Sequence, residues 1–185
     1  MTTRLHQGDL IVADPSIIGD VSFHRSVIVI AAIHDSNPMG FVINKPFEFS
    51  LPDVVPEVRK DFPIFYGGPV DPDELFFIHT HQNIFERSTP ICDDFFLGGE
   101  INTAIENIHK GVLTPQNCRF FLGYSGWSKG QLEQEIKQKH WLIQKKAPTR
   151  QLFKFSVNSL WRNALNAQGG HYRLWANSPE NPSHN

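Results

Sequence analysis

The chain has 185 residues, of which 40% are hydrophobic and 19% charged, so it is long enough for one buried core and too apolar for a disordered protein. No apolar run approaches the roughly eighteen residues of a membrane span, and the N-terminus lacks the apolar segment of a secretory signal. Cys92 and Cys118 show no metal or redox spacing, which favours reduced thiols. We therefore expect a cytoplasmic protein with no membrane segment, no metal and no cofactor.

Positive charge is concentrated in the last third of the chain. Residues 137–179 contain eight Lys and Arg and no Asp or Glu, although the formal net charge of the whole chain is only −2. Such an asymmetry can indicate an anionic partner. The alternative is that the basic third packs on the acidic remainder, and this alternative is favoured because it requires no partner.

The first half of the chain predicts strands. Residues 10–13 form a short apolar run, and residues 25–33 form a continuous one that is typical of a strand covered on both faces. Turn residues 36–40 lead to an antiparallel partner at Phe41–Ile43, which ends before Pro46. Residues 47–61 predict a loop with a short helix. Two further strands are expected at 64–66 and 75–79.

Helices and strands alternate in the second half. A helix is predicted from Ile101 to Ile108, with Gly111 at its C-terminal cap, and it leads to a strand at 119–122. A glycine loop, 123–130, then joins this strand to a helix that begins near Ser128. The remaining predictions are an amphipathic helix at 158–168, a last strand at 171–175 and a flexible tail at 176–185. Together they predict one α+β domain over residues 1–175, with a mixed, curled, barrel-like sheet and helices packed outside.

Several blocks of the sequence occur in a recognisable order: Gly8–Ala13 with Pro15, Phe23–Val27, Gly40–Pro46, Gly67–Pro69, His79, Gly123–Glu135 and Trp161–Leu165. In these blocks the chain resembles the YqgE/AlgH family of small bacterial proteins, and the match runs to about Trp175. The resemblance implies an α+β fold with a barrel-like sheet and no established enzymatic activity. Part of that family carries the label of a transcriptional regulator, linked by name to alginate control.

Polar and small residues at predicted strand ends indicate a binding site. Arg25 and Lys45 would supply positive charge at the ends of two neighbouring strands, where sites are usually built. We expect a shared shallow pocket for a small anionic ligand or a partner segment. Its candidate residues are Arg25, Asn44, Lys45, Gly67, Gly68, His79, Gly123, Gly126 and Trp127. The alternative is that Asn44 and Lys45 only satisfy turn groups, and that the glycines allow a tight turn with Trp127 packed on the sheet.

No catalytic residue is assigned from the sequence, which favours a binding or regulatory protein. Ser125 does not fit a nucleophile elbow, because Trp127 occupies the position that requires glycine. His79 and His81 could chelate a metal from one strand, but no third ligand is identified by spacing. A histidine hydrogen-bonded in the core is the favoured reading of His79. The competing hypothesis is a hydrolase of a phosphorylated or acylated small molecule with His79 as general base.

Nucleic-acid binding is the third hypothesis. Lys145, Lys146 and Arg150 lie beside Trp141, and such a basic patch with an aromatic residue suits phosphate attraction and base stacking. No helix-turn-helix is recognisable, and the sequence pI of about 6.5 is far from the basic values of nucleic-acid-binding domains. Sequence-specific DNA recognition is therefore not favoured.

Overall fold

The strands of the first half follow the predicted apolar runs. The computed structural model describes residues 4–145, 153 and 156–178, and within these residues it contains ten strands and five helices. The strands are β1 (Leu10–Ala13), β2 (Val27–His34), β3 (Asn37–Val42), β4 (Pro46–Ser50), β5 (Pro63–Tyr66), β6 (Val70–His79), β7 (Thr89–Cys92), β8 (Phe95–Leu97), β9 (Cys118–Gly126) and β10 (Trp141–Gln144). The helices are α1 (Leu51–Val54), α2 (Ile101–His109), α3 (Gln131–Lys137), α4 (Val157–Gln168) and α5 (Tyr172–Ala176).

The strands form one mixed sheet with the order β10-β1-β2-β3-β9-β6-β8-β7, and all neighbours along this path are antiparallel. β5 pairs with β9 in parallel and with β4 antiparallel. The sheet curls enough to bring β7 against β2. It is not closed, because β10 and β7 do not pair with each other among the described strands. The predicted α+β class with a mixed, curled sheet is confirmed.

The central strands are covered on both faces, as the continuous apolar run in β2 predicts. Every residue of 27–32 is buried. Because side chains alternate across a strand, these residues divide between two cores. We call them the α4 core, which includes Val27, Val29, Phe41, Trp161 and Leu165, and the α3 core, which includes Ile28, Ile30, Trp127, Leu132 and Trp141. A third cluster, the α2 core, contains Phe62, Phe77, Ala104, Ile108 and Phe120.

Four strands, β4, β7, β8 and β10, were not predicted from the sequence. β4 has no buried residue, and although Phe47 and Phe49 alternate with Glu48, the run lies between Pro46 and Pro52 in a segment that predicts a loop. β7 is four residues long and contains Pro90, and β8 has only three residues. These strands exist because each finds a pairing partner in the folded sheet, and such pairing leaves little trace in a short local sequence.

The predicted strand at residues 171–175 is wrong, because this segment is helix α5. Local bonds hold it: Tyr172 N–H donates to Gly169 O at 3.2 Å, and Leu174 N–H donates to His171 O at 3.1 Å. Only Ala176 of the helix is buried. The predicted tail begins at this residue, and residues 179–185 lie outside the described part of the chain.

The predicted glycine loop after residue 122 is also wrong, because β9 continues to Gly126. Its C-terminal half is paired on both sides, with Gly40 opposite Ser125 and Val70 opposite Tyr124. The glycines serve a close approach of two backbones. A Cβ atom on Gly67 would lie 2.0 Å from Gly123 O, and one on Gly123 would lie 2.5 Å from Gly68 O. The tight-packing alternative therefore accounts for these three glycines.

We expect Gly67→Ala to lower the free energy of unfolding by about 3 kcal/mol or more, because the added methyl group meets backbone that cannot retreat. The matched control is Gly130→Ala. Gly130 has φ +79° but no heavy atom within 4 Å of its would-be Cβ. The substitution should therefore lower the free energy of unfolding only by the cost of a left-handed alanine, about 1–2 kcal/mol. Urea unfolding measures both losses, and equal losses would contradict the proposed backbone clash.

Candidate functional site

The loop that joins β1 to β2 forms one wall of the candidate site. The Asp20 carboxylate folds it locally, because Oδ1 accepts hydrogen bonds from the N–H groups of Ser22 at 2.9 Å and Phe23 at 3.1 Å. The His24 ring is held by a 2.8 Å hydrogen bond between Nδ1 and Ile17 O. Arg25 then adopts φ 53°, a left-handed conformation that turns the chain into β2.

Asn44 ties the start of β2 to the end of β3. Its Nδ2 donates to Arg25 O at 2.9 Å, and its Oδ1 accepts from Val27 N–H at 2.8 Å. The amide therefore replaces a rung of the ladder at the point where β3 ends, as the turn-satisfying alternative for Asn44 proposes.

Lys45 is half-buried under the same loop. Its Nζ donates to Val21 O at 2.8 Å and to Ser22 O at 3.0 Å. Burial lowers the pKa of Lys45, and the nearby Asp20 carboxylate partly opposes this shift. The ammonium is thus held by neutral carbonyl oxygens in a place where desolvation disfavours its charge.

Arg25 points to the α4 face of the sheet. Its Cζ lies 4.8 Å from the centroid of the Trp161 ring, and its Nη2 donates to Ser178 O at 3.0 Å and to Ser178 Oγ at 3.2 Å. The guanidinium therefore joins the start of β2 to the segment that follows α5.

A shallow cavity of about 350 Å³ opens at the end of β3, and we call it the β3-end cavity. It is lined by Val21, His24, Arg25, Asn44 and Lys45. Three of the residues predicted from the sequence are thus brought together. The lining offers a guanidinium, an ammonium, an imidazole and an amide, which are the donor types that hold a carboxylate or a phosphate.

Trp127 does not line this cavity. It belongs to the α3 core and is 5% exposed, whereas Arg25 contacts Trp161 of the α4 core on the other face of the sheet. Its indole Nε1–H donates to Glu135 Oε2 at 3.0 Å, and the same oxygen accepts from Trp141 Nε1–H at 2.8 Å. The structure therefore does not place Trp127 and Arg25 at a common opening.

The glycine candidates also lie outside the β3-end cavity. Gly67 and Gly68 face the backbone of residues 123–125, Gly123 faces Gly68 O, and Gly126 has Tyr124 Cε2 3.3 Å from its would-be Cβ. Ser125 is fully buried and donates its hydroxyl proton to Gly67 O at 3.1 Å. No exposed nucleophile is present at this position.

His79 is a core residue, as favoured from the sequence. It is 0% exposed, and its ring lies 4.4 Å from the Phe85 ring and 5.7 Å from the Phe96 ring, measured between centroids. Nδ1 accepts from His81 N–H at 3.3 Å, so the ring proton is on Nε2, which donates to Gly98 O at 2.9 Å. Burial lowers the pKa of His79 and keeps the ring neutral.

The basic patch is only partly described. Lys145 Nζ lies 2.7 Å from Asp9 Oδ2, in an ion pair with a buried carboxylate. Trp141 is buried and bonded to Glu135, so its ring face is not presented for base stacking. Lys146 and Arg150 lie outside the described residues.

One buried cation was missed from the sequence. Arg119 in β9 is 5% exposed, donates from Nη1 to Ile43 O at 2.6 Å and places its Cζ 4.3 Å from the centroid of the Phe65 ring. Burial lowers its pKa to about 10. The available signal was a single arginine inside the apolar run 118–122. Arg119 thus binds the residue that precedes Asn44 at the end of β3.

Among the described residues, no group of three His, Cys, Asp or Glu side chains is arranged to hold a metal ion. Within the same part of the chain, none of the helices is long and apolar enough to cross a membrane.

The fold defines a small α+β protein with an open mixed sheet, and cationic side chains line a cavity at the end of β3. Residues 10–173 match the model of the family described as AlgH-like, so the chain belongs to the AlgH-like family. A UPF0301 protein of Chlorobium phaeobacteroides is 34% identical over 183 residues, covering 98% of this chain and 97% of that protein.

Two solved structures share the fold. A protein from Corynebacterium diphtheriae superposes with a TM-score of 0.76 at 22% identity, covering 96% of this chain and 95% of that one. The AlgH protein from Pseudomonas aeruginosa superposes with a TM-score of 0.71 at 23% identity, covering 97% of each chain. At these identities the likeness concerns the fold alone.

The buried His79 predicts an acid-sensitive stability. Because its pKa is lowered on folding, the unfolded chain takes up the proton first as the pH falls below about 6.5. The contribution of neutral His79 to the free energy of unfolding is therefore complete above about pH 6.5 and is lost as the pH falls towards the pKa of His79 in the folded chain. We expect His79→Gln to flatten the fall in unfolding free energy between about pH 7.5 and about pH 5, by up to about 1.4 kcal/mol per pH unit.

Urea unfolding at both pH values measures this difference. His140→Gln is the matched control for the loss of an imidazole at an exposed position, and the effect of the buried ring is the difference in slope between the two variants. An unaltered slope in His79→Gln would contradict the neutral buried imidazole.

Proposed function

We propose that the protein is a non-catalytic cytoplasmic binding or regulatory protein that recognises a small carboxylate- or phosphate-bearing ligand in the β3-end cavity. The observation that carries this proposal is the convergence of His24, Arg25 and Lys45 on one opening. A volume of about 350 Å³ lies at the lower end of the range for small-molecule pockets, so a small anion is favoured over a partner segment.

The state of Lys45 supports an anionic ligand. An ammonium has three N–H donors, and two are used by the carbonyl oxygens of Val21 and Ser22. The third is available to a ligand. A bound anion would offset the desolvation that lowers the pKa of Lys45 and would therefore favour its charged form.

The loop geometry supports a preformed site. Asp20 folds the loop, Ile17 O orients the His24 ring, and Asn44 fixes the backbone of Arg25. A ligand would therefore meet donors that are already ordered, and little conformational entropy would be lost on binding.

The hydrolase alternative has no supporting observation. His79 has no exposed surface and its Nε2–H is bonded to Gly98 O, so a substrate cannot reach it in this arrangement. The β3-end cavity itself is lined by no serine, cysteine or carboxylate among the described residues, and therefore offers no nucleophile beside its imidazole.

Binding of two probe anions tests the proposal. Inorganic phosphate and succinate are titrated to about 10 mM, where a millimolar site is largely filled, and ¹H–¹⁵N spectra are recorded. We expect shifts confined to residues 21–25 and 44–45, from whichever anion fits. Lys45→Met keeps the length of the side chain and should weaken binding by about tenfold or more.

Lys60→Met is the matched control, because Lys60 is exposed and distant in sequence from the cavity. It should bind as the wild type does. No shift with either anion, or equal loss in both variants, would contradict the proposal. Circular dichroism checks that Lys45→Met remains folded after losing its two carbonyl contacts.

The pH dependence of binding provides a separate prediction. Because the pKa of Lys45 is lowered, anion affinity should fall as the pH rises through that lowered value, below the range in which an ordinary lysine titrates. Titrations between about pH 7 and about pH 11 measure this. An affinity that stays constant until the ordinary lysine range would show that Lys45 does not contact the anion.

A further inference from the structure

Strand β10 forms one end of the sheet. Among the described strands it pairs only with β1, in a register that places Val12 opposite Leu142 and Leu10 opposite Gln144. Asp14 N–H donates to His140 O at 2.9 Å. Because hydrogen-bonded and non-hydrogen-bonded pairs alternate in an antiparallel ladder, Leu142 and Gln144 also direct their backbone N–H and C=O groups towards β1.

The intervening residues, Trp141 and Ile143, therefore direct their N–H and C=O groups away from the sheet. No backbone partner for these groups occurs within the described residues. An edge of this kind is a template for another strand.

A groove of about 970 Å³ extends across the α3 face of the sheet from the β2–β3 hairpin to β10, and we call it the edge groove. Ile33, Ser36 and Pro38 line it at the hairpin, and Trp141, Leu142 and Ile143 line it at β10. The outward backbone groups of Trp141 and Ile143 therefore border one end of the groove. Its apolar lining includes Leu5, Ile33, Ile136 and Ile143.

The rim of the edge groove is basic. Arg4, Lys137 and Lys139 line it, against the single carboxylate of Glu133. No ion pair of the described chain engages these three cations. The outer charge of the groove is therefore positive and uncompensated at short range.

We propose that the edge groove binds an extended acidic peptide segment of a partner protein, which adds a strand to β10. The backbone groups of Trp141 and Ile143 would supply main-chain hydrogen bonds, alternate apolar side chains would enter the groove, and acidic side chains would meet the basic rim. At about 3.3 Å per residue, the four residues of β10 span about 13 Å, which fits a segment of about four to six residues.

The same observations disfavour two other occupants. Pairing of β10 with β10 of a second copy would bring two basic rims together, and like charges oppose such an interface. A nucleic acid would be attracted by the positive charge. It would not, however, form a strand ladder with the outward N–H and C=O groups of β10 or place aliphatic side chains against the apolar lining.

The probe is the peptide fluoresceinyl-Glu-Val-Glu-Val-Glu-Val-Glu-amide, labelled on its N-terminal amine, titrated with the full chain and followed by fluorescence anisotropy. We expect saturable binding that weakens by about tenfold or more in the double variant Lys137→Glu/Lys139→Glu. Lys60→Glu is the matched control and should bind as the wild type does. Lys45→Met should also retain peptide binding, which separates this site from the β3-end cavity.

Backbone recognition is tested by N-methylation. Two versions of the peptide are methylated on alternate residues, so that each loses the donors of one edge. Strand addition predicts that one version loses binding by about tenfold or more and that the other binds almost unchanged. Ile143→Pro removes an outward donor without touching the β1 ladder, and should abolish binding while the fold is retained.

Three results would overturn the proposal. The first is equal binding of both methylated peptides, which would mean that charge alone is recognised. The second is a stable dimer in sedimentation that Ile143→Pro dissociates, which would assign the edge to a second copy. The third is binding of a single-stranded oligonucleotide at the groove in place of the peptide.

Discussion

The close approach of Gly67 to β9 is the constraint on which the sheet depends. Gly67 N–H donates to Leu122 O at 2.8 Å, and Gly67 O accepts from Val42 N–H at 2.9 Å and from the Ser125 hydroxyl at 3.1 Å. One residue thus joins β3, β9 and the connection between β5 and β6. A side chain at this position would collide with Gly123 O, so the junction requires glycine.

This junction also orders the neighbouring candidate site. Val42 is bonded to Gly67, and the next three residues each have a separate partner: Ile43 O binds Arg119, Asn44 bridges to β2, and Lys45 binds the β1–β2 loop. Positive charge therefore gathers around the end of β3. Lys45 is held by two neutral carbonyl oxygens, and burial lowers its pKa although the Asp20 carboxylate lies nearby, so an anion in the cavity would favour its charged form.

The basic residues in the last third of the chain have two kinds of surroundings. Lys145 forms an ion pair with the buried Asp9, in agreement with packing against the acidic part of the chain. Lys137 and Lys139 instead lie on the rim of the edge groove, where no described carboxylate forms an ion pair with them. Internal pairing and attraction of an external partner are thus compatible within one segment. The ion pair of Lys145 involves a buried carboxylate, whereas Lys137 and Lys139 are exposed, so salt screens the charges of Lys137 and Lys139 more strongly.

The sequence by itself determined the elements whose residues carry a strong local pattern: the buried run of β2, the amphipathic helices α2 and α4, and the polar residues Arg25, Asn44 and Lys45 at strand ends. Tertiary structure alone decided the rest. β4, β7 and β8 form only because partners lie beside them, and Gly123–Gly126 extends a strand because β3 and β6 flank it. Trp127 lies across the sheet from Arg25 because the faces of strands distant in sequence are related by their pairing register, which no local pattern records.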